Sequence, residues 1–100
     1  MIYYKKYLIV TLLVENVSSY ELMGIYRPNA YVQGVKNYCT ECQIELYKKP
    51  LDPGQSMVLK AVLFAPHGFG EHLKQGSLLT LRNGITTEAK ALVLEIIGYK

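Results

Sequence analysis

The chain has no tryptophan, two cysteines, four prolines and few charges, and each shortage narrows the classes it can belong to. Only 19% of its residues are charged while 50% are hydrophobic, a balance that excludes intrinsic disorder. Lys+Arg number 11 against Asp+Glu 8, and the resulting net charge of +3 is too small to announce a nucleic-acid partner by itself. Two cysteines close together in sequence make no disulfide framework, and they read as reduced thiols of a cytoplasmic protein. No apolar run approaches the roughly 20 residues that a membrane helix requires. The opening MIYYKKYLIVTLLVE does place lysines ahead of an apolar stretch, as a secretory signal does. That stretch, Leu8 to Val14, is short, is interrupted by Thr11, lacks a small-x-small cleavage site and is closed by Glu15 and Asn16. It reads instead as a strand with exposed lysines. Also missing is any Gly-x-x-x-x-Gly-Lys-Ser/Thr loop, so nothing in these residues is suited to cradling nucleotide phosphates.

What is present points to strands. Nine tyrosines and two phenylalanines accompany Val, Leu and Ile, residue types that favour a pleated, half-buried surface. At 100 residues the expectation is one all-β domain over positions 1–100. Apolar residues fall in short runs broken by Gly, Pro and Asn rather than at helical spacing. The pattern predicts strands at Tyr3 to Val14, Ile25 to Val32, Tyr38 to Tyr47, Ser56 to Phe64, Ser77 to Arg82 and Thr86 to Ile97. Pro28 would remove a ladder donor and marks the second run as a strand start, edge or bulge. In the third run Cys42, Ile44 and Leu46 share one face and Gln43 and Glu45 the other; in the fourth, Met57, Leu59, Ala61 and Leu63 form the inward face. Glu15 to Ser19 and Gly34 to Asn37 read as turns, Lys48 to Gly54 as a loop ending in a Pro53-Gly54 turn, and Pro66 to Gly76 as the longest irregular connection. Asn83-Gly84 is the strongest hairpin signal. Six strands of this length close best as a small antiparallel barrel, which also removes sheet edges.

Read in order, Gly24-Ile25-Tyr26-Arg27-Pro28, Gln43-Ile44-Glu45-Leu46, Asp52-Pro53-Gly54-Gln55, Leu63-Phe64-Ala65-Pro66 and Leu79-Thr80-Leu81-Arg82-Asn83-Gly84 form a recognisable series. The chain resembles the third, C-terminal domain of elongation factor Tu from about Tyr7 to Ile97. The resemblance rests on the order and spacing of these motifs. It implies a six-stranded antiparallel β-barrel of that domain's type, here free-standing, with no catalytic role, no nucleotide and no cofactor. It implies a protein partner linked to translation or its regulation, and a second route in which the barrel contacts tRNA or other RNA. In the family an Arg-His pair ahead of the Gly-Tyr-Arg-Pro strand approaches the T stem of aminoacyl-tRNA, whereas this sequence has Ser18-Ser19 there. The small Gly-Ala-Gly of the family's last strand is replaced by Glu88-Ala89-Lys90-Ala91, and the segments around Cys39 to Cys42 and His67 to Gln75 run longer.

Several constellations bear on chemistry. Cys39 and Cys42 with His67 and His72 supply the donor types of a tetrahedral zinc site, but their spacing departs from compact zinc motifs and strand alternation sends the two thiols to opposite faces. The favoured reading is Cys42 packed inward with the others exposed and no metal. Neither histidine, in its Gly-rich loop, is tied by sequence to a nucleophile. Glu41 and Glu45 share a strand face as solvated pairs commonly do. For RNA, Lys5, Lys6, Lys36, Lys48, Lys49 and Arg82 interleave with Tyr3, Tyr4 and Tyr47, the mixture that phosphate neutralisation and base stacking need. The candidate partner-binding residues are Tyr26, Arg27, Lys48, Lys49 and Arg82, with a structural ion pair the favoured role for Arg27.

Overall fold

A computed structural model describes residues 7–99. The strands are β1 (Leu8–Asn16), β2 (Leu22–Tyr26), β3 (Asn29–Val32), β4 (Thr40–Leu51), β5 (Ser56–Leu63), β6 (Leu78–Asn83) and β7 (Thr86–Tyr99), and a 3-10 segment occupies Pro66–His72. All pair antiparallel in the order β2-β4-β3-β6-β7-β1-β5, and β5 returns to β4. The protein is thus a mostly β, seven-stranded sheet that closes a ring of six strands, with β2 standing beside the ring. The closing seam is short, joining Cys42, Gln43 and Ile44 to Leu63, Val62 and Ala61.

The expected six strands become seven because the second run is cut at Arg27-Pro28. Register does not slip across the cut: Tyr26 faces Ile44 before it and Asn29 faces Glu41 after it, each step along one strand matching one step back along β4. Proline has no N–H to give to the ladder, so its place is held from one side only, by Cys42 N donating to Pro28 O at 2.9 Å. Boundaries also move. Glu15 and Asn16, expected in a turn, end β1; Lys48 to Leu51, expected in a loop, continue β4; and Pro66–His72 coils within the expected irregular connection. β4 can run through Pro50 because only Met23 lies across from Tyr47, Lys48, Lys49 and Pro50, between the pairs Gly24–Leu46 and Leu22–Leu51. This wide bulge frees the proline from any ladder bond. The expected strand over Tyr3 to Lys6 lies outside the described residues.

Alternation fills the ring. Val10, Leu12 and Val14 from β1, Cys42, Ile44 and Leu46 from β4, and Ala61 and Leu63 from β5 are all buried, while Met57 and Leu59 are half-buried beside them. The 3-10 segment adds Phe69, which meets Tyr38 edge-on with ring centroids 5.0 Å apart. Tyr38 in turn donates its hydroxyl proton to Ala65 O. Gly68 lies so close to the Tyr38 ring that a side chain there would overlap it. The β6–β7 hairpin forms where expected, yet its corner is Gly84-Ile85, because Asn83 pairs with Thr86. Gly84 has φ +63, the value its first-corner position requires.

Candidate functional site

A broad concavity lies on the outer face of the ring. Strand register sets Val58, Leu13, Leu92 and Leu78 side by side across β5, β1, β7 and β6. Val58 and Leu78 are 58% and 51% exposed, so this apolar row is only partly covered. The adjacent row is polar and runs Ser56, Glu15, Lys90, Thr80, Tyr31. At its end the Arg82 guanidinium lies over the Tyr31 ring, 4.6 Å from the centroid. Its Nε is buried without a hydrogen-bond partner, leaving one oriented donor uncommitted. With the Gln33 to Val35 corner, the polar row and Leu13, Leu92 and Leu78 of the apolar row enclose a groove of about 640 Å³, and Val58 lies beyond its lining. The groove offers an apolar floor, two cations and one carboxylate.

The other sequence-predicted residues lie apart from this groove. Arg27 pairs with Glu41 at 2.6 Å, and its guanidinium sits 5.5 Å from the Phe64 ring centroid. Both partners are about half exposed, so the pair contributes little to stability. Tyr26 is buried. Lys48 and Lys49 are exposed on the β4 bulge beside exposed Tyr47. The candidate RNA-binding residues Tyr3, Tyr4, Lys5 and Lys6 lie outside the described residues. Cys42 is interior and burial pushes its thiol up to about 12, whereas Cys39 is half-buried and His67 and His72 are exposed. Among the described residues no three of His, Cys, Asp and Glu come together in a group able to hold a metal ion.

Two polar centres escaped the reading of the sequence. The first is Asn16, fully buried at the end of β1. Its Nδ2 donates to Tyr20 O and Leu51 O, both at 2.8 Å. Its Oδ1 accepts from Ser18 N at 2.8 Å and Ser18 Oγ at 2.6 Å. The second is Glu88, 5% exposed although both neighbours in a regular strand would predict alternation. Leu81 pairs with Ala89 and Arg82 with Thr87, so Glu88 is the extra residue of a β-bulge, which turns its side chain inward. Its carboxylate accepts from Tyr20 Oη at 2.6 Å and Tyr26 Oη at 3.0 Å. Burial, and next the Glu88 bond, raise the Tyr26 phenol far above its ordinary value; the Glu88 bond chiefly raises Tyr20. A slip of one residue in strand pairing has no signature in hydrophobic pattern, but Tyr20, Tyr26 and Glu88 are the polar types that a buried hydrogen-bonded group needs.

No protein-family model matches this chain, and no curated protein matches it in sequence.

Proposed function

We propose that this protein is a non-catalytic binding module of the elongation factor Tu C-terminal-domain type, a cytoplasmic six-stranded barrel that docks a protein of translation or its regulation. The observation that carries the reading is the outer groove: the apolar side chains of Leu13, Leu92 and Leu78 in register across three strands, flanked by Lys90 and by the uncommitted donor of Arg82. Apolar floor with a polar, cationic rim is the anatomy of a protein interface. The placement of several of the quoted motifs also supports the reading. Gly24 to Tyr26 lie in β2, Gln43 to Leu46 in β4 and Leu79 to Asn83 in β6, and Asp52 to Gln55 form a turn in which Gln55 N donates to Asp52 O at 3.0 Å. Affinity capture from nuclease-treated lysate, run with the native protein and with Leu78→Glu, tests it. A translation-related protein captured by the first and lost by the second is the expected result; capture of none overturns the proposal.

A second reading, direct RNA binding, draws on the β4 bulge, where Tyr47 is 64% exposed beside Lys48 and Lys49. A ring for stacking next to two cations is the arrangement that single strands need. Binding of tRNA or single-stranded RNA should then weaken as salt rises, and Lys48→Ala with Lys49→Ala should flatten that slope by about 1 to 2. Absence of any salt-dependent shift with micromolar protein at low salt refutes it.

A further inference from the structure

β2 is bonded on one side only among the described residues. The bond from Cys42 N to Pro28 O sets the phase of the antiparallel ladder. By alternation Tyr26 exchanges its backbone bonds with Ile44, and the N–H and C=O groups of Ile25 and Arg27 point away from β4. Farther along the same line, β6 takes up the corresponding groups of β3 by pairing from Asn29 to Val32. β6 then ends at Asn83 and the chain turns back through Gly84-Ile85, so among the described residues β2 has no neighbour on that side. Such an edge is a ready template for another strand.

Between the edge and the end of β6 lies a cleft of about 300 Å³ whose lining includes Glu88, Glu21, Tyr20 and Asn83. Glu88 makes no ion pair among the described residues. Its two tyrosine bonds occupy one lone pair on each oxygen, and each oxygen has another. Glu21, on the wall, is crowded by Asp52: a hydrogen bond to that carboxyl is the main reason its own carboxyl is raised. The cation at the rim, Arg27, is engaged by Glu41. The cleft is therefore acidic in a protein whose net charge is +3.

We propose that the free edge of β2 and the Glu88 cleft form a docking site for an extended basic segment of a partner protein, which adds as a strand beside β2 and places a Lys or Arg head on Glu88. The backbone groups of Ile25 and Arg27 supply pairing without regard to sequence, and the carboxylates select the charge. An acidic segment meets like charge here. A second copy of this chain offers Met23 and Ile25 from its own β2, and its Arg27 is already paired. The site is separate from the outer groove and does not depend on the elongation-factor-like reading.

The test uses a fluorescent peptide of about eight residues alternating Lys and Val, and its counterpart alternating Glu and Val, titrated with the whole protein and read by anisotropy. The basic peptide binds and the acidic one does not. Glu88→Gln, which keeps an acceptor for the tyrosines, weakens binding about tenfold or more. Ile25→Pro removes an outward N–H that β4 does not use and weakens it similarly. Hydrogen exchange on the native protein supplies a measurement independent of any variant: amides of Ile25 and Arg27 become protected when the basic peptide is added. Equal binding of both peptides, unchanged exchange at these amides, or a homodimer joined through β2 overturns the proposal.

Discussion

Replacing Asn16 with alanine tests how the ends of three segments are tied together. Asn16 makes every bond its amide can direct at the Ser18 to Tyr20 turn and at Leu51, from a position with no solvent exposure. Its own backbone extends the tie, since Asn16 N donates to Gln55 O at 3.0 Å and Gly54 N donates to Asn16 O at 2.8 Å. Truncation leaves the Leu51 carbonyl short of a donor where water does not reach, a loss of about 1–3 kcal/mol. The bonds to half-exposed Ser18 and exposed Tyr20 are partly recovered by water and add about 1 kcal/mol. Together the cost is about 3 kcal/mol, which for a domain of this size lowers Tm by roughly 12–24 °C. Asn16→Asp separates hydrogen bonding from volume. It keeps the acceptor for Ser18 but turns a charged oxygen toward two carbonyls, so at neutral pH it is less stable than Asn16→Ala. Acid protonates that oxygen, restores one donor and narrows the gap. Urea melts at pH 7 and pH 4 read both effects. A Tm for Asn16→Ala within a few degrees of the native value, or an aspartate variant that loses ground on acidification, refutes the reasoning.

Cys42, whose thiol is raised to about 12 by burial, should resist iodoacetamide in the folded protein while Cys39 is labelled, with mass spectrometry locating the adduct. Because the folded value lies above the unfolded one, the stability tied to this neutral thiol is whole below the ordinary thiol value. It is lost as pH rises toward 12, at a limit of about 1.4 kcal/mol per pH unit, and Cys42→Ala removes that part of the slope in alkaline urea melts. Tyr26→Phe strips one donor from buried Glu88 and should cost about 1–3 kcal/mol in thermal or urea unfolding. Gly68→Ala forces the Tyr38 ring away from both Ala65 O and Phe69, and should cost about 1–3 kcal/mol; a melt unchanged from native shows that the ring moves freely.

The parts of this architecture that can be read from the sequence are those where one face is wet and the other dry. Residues 42 to 46 and 57 to 63 alternate because a strand's side chains do, and the structure buries Cys42, Ile44, Leu46, Ala61 and Leu63 accordingly. Turn chemistry was equally legible at Pro53-Gly54 and, within one residue, at Asn83-Gly84. The rest depends on distant pairing. Asn16 looks like a turn residue until Leu51 and Ser18 supply partners for its amide. Phe69 stands among glycines and histidines, with no periodicity to reveal it as core. Glu88 turns inward at a bulge that appears only in the pairing of β7 with β6. Of the candidate site residues, Arg82 was legible as an isolated cation before the β3–β6 register set it over Tyr31. Lys48 and Lys49 share the β4 bulge, away from the outer groove.

β1 pairs with β5 on one side and β7 on the other, and Leu8 lies opposite Tyr99. A ribosome therefore releases β1 long before the strand that completes it. Until Thr86 to Tyr99 emerge, the apolar run Leu8 to Val14 can be held only by β5, with its other edge open to any passing strand. The ring cannot shut progressively, as a chain of hairpins would; its longest pairing forms last and spans almost the whole sequence. Folding by this route is slow and leaves a sticky nascent chain. The same neighbourhood makes the reverse operation easy to imagine: joining Tyr99 to Leu8 through a short linker and opening the chain at the Gly84-Ile85 corner would turn the most distant pair into a local hairpin without altering a single strand contact.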